Sequence, residues 1–190
     1  MKQLVLSAVV MLLLVGSGLA QSAINLKAGI LNRQFTDEVD SGSSLVHYGM
    51  NYGFDYIVDD SWVLFMPGLH YQRYDMDARD SRGSLFAKRE HIHQISLPLS
   101  LGATFFKSPW SKIRAYGGGH VNFIVGVDKN DNELNLDRVT TVHPGWQLGA
   151  QVMLWRFTAD FRYYRDYRKV INVRENSELK GWEFLIGVAF

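Results

Sequence analysis

Large apolar residues and small or polar residues take turns along this chain with a period of two. In the run 45–58, Val46, Tyr48, Met50, Tyr52, Phe54, Tyr56 and Val58 share one side, and His47, Gly49, Asn51, Gly53, Asp55 and Ile57 share the other. Neighbouring side chains of an extended backbone point to opposite faces, so this alternation predicts a strand standing between two environments. The pattern recurs in Ile24, Leu26, Ala28 and Ile30 against Asn25, Lys27 and Gly29, and in Val63, Phe65, Pro67, Leu69 and Tyr71 against Leu64, Met66, Gly68, His70 and Gln72. Further runs cover 95–102, 115–125, 145–154 and 157–164. The last is Trp182, Phe184, Ile186, Val188 and Phe190 against Glu183, Leu185, Gly187 and Ala189. Eight strands are predicted, and helical periodicity is absent from all of them.

The connections alternate in length. Short ones are expected at 59–61, 107–112 and 155–156, and long polar ones at 36–44, 75–90, 126–141 and 165–180. Short turns at one end and long loops at the other describe an antiparallel up-and-down barrel. An even strand number lets such a barrel close with both termini at one end.

Parity does not say which face is inside. A secreted lipocalin also has eight alternating strands, with its apolar face turned in around a ligand. Three features favour the opposite orientation. The apolar face is bulky along whole strands, while the other face is rich in glycine and serine, and eight strands enclose little room. Aromatic residues collect at the strand ends: Tyr56, Trp62, Phe105, Trp155, Phe157 and Phe190 near the short turns, and Tyr48, Tyr71, Tyr163 and Trp182 nearer the long loops. Two bands of rings match two lipid–water interfaces. Finally, a water-soluble barrel needs a pattern of lysine and glutamate over its outer face, and neither face offers that pattern in mid-strand. Hydrocarbon cannot satisfy a backbone N–H or C=O, so strands cross lipid only as a closed barrel. The predicted fold is all-β: an eight-stranded antiparallel transmembrane β-barrel.

The N-terminus adds an export step. Lys2, an apolar run over 4–15, and Gly16, Ser17, Gly18, Leu19 and Ala20 make the pattern of a secretory signal peptide, 1–20, with the barrel domain spanning 21–190. The chain contains no cysteine, which excludes a disulfide framework, a thiolate metal site and a lipid-modified cysteine anchor. Basic and acidic side chains number 20 and 19, and without Lys2 they are equal. No basic stripe exists, so nucleic acid is not an expected partner.

The inward face carries Lys27, Asp55, Arg114, Asp160, Arg162 and Glu183, together with His47, His70 and His120. These positive and negative charges balance, and lone buried charges are costly, so pairing is expected. Lys27 and Glu183 lie on the first and last strands, which become neighbours on closure, and Arg162 offers Glu183 a second partner. A salt-bridged plug is the leading expectation, and a narrow ion or water path the alternative. His91 and His93 share a strand face near a loop end with no further ligand close by, and Ser96 has the wrong parity to join His93 in catalysis. The run Asp128, Lys129, Asn130, Asp131, Asn132, Glu133 opens like a calcium loop but has Glu133 where glycine is needed and Val139 where a carboxylate is needed, which leaves a solvated loop. Leu85 and Phe86 place an apolar patch in the loop 75–90.

The stretches 95–101, 115–126, 145–154, 157–163 and 187–190, in this order and spacing, resemble the small outer-membrane β-barrel, porin-like domain of Bacteroidota envelopes across the whole mature chain. In that family a terminal aromatic on an alternating strand is read by the barrel-assembly machinery. The resemblance thus implies such a signal in Trp182, Phe184, Ile186, Val188 and Phe190. It implies no shared reaction, cofactor or catalytic residue. The expected protein is a non-enzymatic barrel of the outer membrane, in contact with outer-membrane lipid, whose long loops bind an extracellular ligand or whose body stabilises the envelope. A narrow channel, a lipid-modifying enzyme and a secreted lipocalin-like carrier are the alternatives.

Overall fold

A computed structural model describes residues 21–36, 46–60, 62–76, 90–127, 141–167 and 178–190. The expected signal peptide, the acidic run beginning at Asp128 and the Leu85–Phe86 patch fall outside the described residues. Among the described residues there are eight strands: β1 (Gln21–Thr36), β2 (Val46–Asp60), β3 (Val63–Met76), β4 (Glu90–Lys107), β5 (Ser111–Val127), β6 (Val142–Leu154), β7 (Phe157–Asp166) and β8 (Glu178–Ala189). Each pairs antiparallel with the next, and β8 pairs back with β1, so the sheet is a closed barrel without an edge. Phe190 extends the β1–β8 seam by one more pair. Ile24 N–H donates to the Phe190 carbonyl at 3.1 Å, and Phe190 N–H returns a bond to the Ile24 carbonyl at 2.9 Å.

The outer surface of the barrel is apolar. Leu26, Ile30, Tyr52, Leu99, Leu148 and Phe161 are among its exposed residues. Exposed aromatics gather at the short-turn end in Trp62, Phe105, Trp110, Trp155 and Phe157, and at the loop end in Tyr48, Tyr71 and Tyr167. A closed barrel with this apolar band and its flanking rings has the form of a membrane-spanning one.

Each short turn closes in its own way. Between β6 and β7 the loop is two residues, Trp155 and Arg156, between the paired Leu154 and Phe157. Trp155 adopts a positive φ of 56°, a conformation tight hairpins demand and glycine usually supplies. Between β4 and β5, Ser108 N–H donates to the Ser111 carbonyl at 2.8 Å, and the Ser108 hydroxyl accepts from Ser111 N–H at 3.0 Å. The turn expected at 59–61 is shorter than the sequence suggests. β2 runs on to Asp60, which pairs with Val63, and this keeps Asp59 in the strand with its side chain buried.

The interior is filled by alternating small and large residues, as a narrow barrel requires. Gly149 stands opposite both Tyr116 and Arg162, and a Cβ there would collide with the Tyr116 ring. Gly68 stands opposite Asp55, and its missing side chain leaves the space that the Asp55 carboxylate occupies. Leu31, Tyr74, Ile92, Ile124 and Leu179 form an apolar cluster at the loop end. Ile57, Leu64, Met66 and Tyr116 form a second one towards the short turns.

Candidate functional site

Between the two apolar clusters lies a network of charges whose members come from nearly every strand. Lys27 on β1 bridges two carboxylates: Asp55 on β2 at 2.5 Å, and Asp160 on β7. Arg162, one inward position beyond Asp160 on β7, reaches Asp55 at 3.2 Å, Asp160 at 3.9 Å and Glu183 at 4.0 Å. His70 on β3 sets its Nε2 at 2.9 Å from Asp55 Oδ1 and its Nδ1 at 3.0 Å from Asn51 Oδ1. Tyr116 donates to Asp160 and accepts from Arg162 Nε at 3.3 Å. All of these side chains are buried. In a low-dielectric interior an ion needs several partners, and here each carboxylate is shared by at least two donors.

The expected pairing of Lys27 with Glu183 does not occur. Closure places Lys27 opposite Gly187, and Glu183 opposite Leu31, so the two charges sit at different levels of the β1–β8 seam. Lys27 instead reaches past β8, whose Gly187 leaves room opposite it, to Asp160 on β7. Glu183 is held by Arg162, by Gln72 Nε2 at 2.6 Å and by Asn51 Nδ2 at 3.0 Å.

Arg114 and His120 lie apart from this centre. Arg114 sits towards the short-turn end, donating to Asp59 Oδ2 at 2.8 Å and Gln151 Oε1 at 2.7 Å, and Lys112 reaches the same Asp59 oxygen at 2.9 Å. His120 sits towards the loop end, with Nε2 at 2.6 Å from Asp166 Oδ1, and Asn122 donates to the same oxygen at 3.2 Å. His47 stands opposite Arg33 in the β1–β2 register.

Sequence reading missed Arg33, Asp59, Tyr116 and Asp166. Arg33 is buried, donates to Gln94 at 3.2 Å and to Gln72, and lies over the rings of Tyr74 at 4.3 Å and Tyr164 at 5.0 Å. The missing signal was strand length. Extending the two-residue parity of β1 to Arg33, of β2 to Asp59 and of β7 to Asp166 puts all three on the inward face.

The interior leaves little free space. A gap of ≈ 10 Å³, lined by Arg33, Gln72, His120, Arg162, Tyr164 and Glu183 among others, has room for about one water molecule. At the short-turn mouth a recess of ≈ 330 Å³ opens between Ala23, Ile57, Lys112, Arg114, Met153 and Phe190. His93 faces outward near the loop end, hydrogen-bonded to Tyr71 and stacked on it at 6.0 Å, whereas Ser96 is buried on the inward face.

Among solved structures, Neisserial surface protein A (NspA) is similar at a TM-score of 0.52 and 14% identity, covering 88% of this chain and 99% of that one. The outer membrane enzyme PagL is similar at 0.50 and 12% identity, covering 87% and 98%. Ail, the attachment invasion locus protein of Yersinia pestis, gives 0.46 and 11% identity over 90% and 99%. No family model and no curated protein matches the chain. At these identities the likeness is one of fold, and it places the chain among closed eight-stranded antiparallel barrels of the outer-membrane type.

Proposed function

We propose that this chain is an integral outer-membrane protein of a Bacteroidota-type envelope, exported by its signal peptide. In this reading its lumen is permanently plugged, and it acts without catalysis through its long loops or by stabilising the membrane. The observation that carries this reading is the cluster of Lys27, Asp55, Asp160, Arg162 and Glu183, whose ion pairs join β1, β2, β7 and β8 and which His70 and Tyr116 tie to β3 and β5, between two apolar layers. A conducting path would have to break these contacts, and breaking a buried pair is strongly unfavourable. The protein refolded into planar bilayers is expected to give no steady single-channel current, and such a current would overturn the plug.

The non-enzymatic reading is supported by the separation of His93 from Ser96, which lie on opposite faces of β4. PagL shares the fold, but at 12% identity its activity does not transfer. Lipid A profiles of cells with and without the gene are expected to be identical by mass spectrometry. In the same reading, Phe190 at the β1–β8 seam belongs to a terminal signal taken up by the barrel-assembly machinery.

A further inference from the structure

Among the described residues, the outward face carries no charged side chain through the middle of any strand, and cations begin only near the ends. At the loop end they follow a rule. Arg73 stands two residues beyond Tyr71, Arg165 two beyond Tyr163, and Lys180 two before Trp182, each pair on one outward face. On three strands, therefore, a cation sits one outward position further from the middle of the barrel than an aromatic ring.

The arrangement is densest across β7 and β8. Arg165 and Lys180 are direct partners in the register, and so are Tyr163 and Trp182 next to them. Trp146 opposes Arg165 from β6, and its ring lies 5.7 Å from that of Tyr163. Arg165 is exposed and Lys180 half-buried. Like charges directly opposed across two strands repel. A phosphate between them would turn that repulsion into two charge-assisted hydrogen bonds. Arg165 also interacts within the protein, and the five donors of a guanidinium suffice for both. Tyrosine and tryptophan settle at the boundary between hydrocarbon and headgroups, which puts cations one step further out at the depth of lipid phosphates.

We propose that Arg165 and Lys180, above a floor of Tyr163 and Trp182 and beside Trp146, bind the phosphate group of an anionic lipid in the leaflet that meets the long loops. This rests on the membrane-barrel reading above and adds to it a lipid class and a site.

The test is native mass spectrometry of the folded protein in neutral detergent. The probes are bis-phosphorylated lipid A, the same lipid dephosphorylated, and inorganic phosphate. The phosphorylated lipid should be retained about tenfold better than its dephosphorylated counterpart. The double variant Arg165→Gln/Lys180→Gln should lose that preference, while Arg156→Gln, at the opposite rim, should keep it. Equal retention of the two lipids by the unmodified protein would overturn the proposal, as would a preference that survives in the double variant. Inorganic phosphate binding as tightly as the lipid would overturn the lipid assignment. Heat-modifiable gel migration separates this from the parent reading: a protein that forms no closed barrel in detergent sinks both, whereas a closed barrel indifferent to phosphate sinks only the lipid site.

Discussion

Leu26 and Lys27 are adjacent on one strand and face different media. Leu26 is 52% exposed on the outer surface, and Lys27 is 4% exposed in the interior. The same inversion separates Phe184, 45% exposed, from Glu183, 2% exposed. The outer face faces a non-selective solvent, where any apolar side chain of suitable size serves. The inner face is a specific solid, where each charge has named partners and each glycine makes room for a particular neighbour. A substitution should therefore be judged first by which face it lands on and only then by its chemistry.

The largest effect should come from unbalancing the interior. Lys27→Met leaves Asp55 and Asp160 short of a cation and is expected to cost about 3–5 kcal/mol in urea unfolding from lipid vesicles. A double-mutant cycle sharpens the point. Lys27 and Asp160 should couple by about 0.5–3 kcal/mol, while Lys27 and Glu183, which are joined only through Arg162 and the carboxylates it shares with Lys27, should couple less. A coupling of the second pair larger than that of the first would mean that the seam register is wrong.

Next comes a charge on the outer face. Phe184→Arg puts a cation into the hydrocarbon region and should lower stability by about 2–4 kcal/mol if it lies near the midplane. An unchanged unfolding midpoint would show that this face is not in lipid.

The smallest effects test packing with one methyl group. Gly149→Ala drives a Cβ into the Tyr116 ring and should cost about 1–3 kcal/mol. Gly119 lies on the outward face, and its added Cβ would meet only the Gly145 carbonyl at 3.7 Å. Gly119→Ala should stay within about 0.5 kcal/mol of the unmodified protein. Equal costs at the two sites would erase the distinction between the faces.

Much of this was legible in the amino-acid order. The period of two gave strand number and set Lys27, Asp55, Asp160, Arg162 and Glu183 on the face opposite the bulky apolar one, because side-chain direction along a strand is a local property, and the aromatic bands at the strand ends marked the apolar face as the outer one. Strand ends were less legible, since Asp59 and Arg33 lie where polar residues read as turn or loop, yet the barrel continues past its apolar band. Partners were not legible at all. Whether Lys27 meets Glu183 or Asp160 depends on the register at closure and on the width of the lumen, and both arise only when eight strands are joined. Sequence alone settled which side of each strand each residue takes. Only the tertiary structure decided which charges meet, because contacts across a closed barrel join residues far apart in the chain, at heights fixed by the pairing of every strand between them.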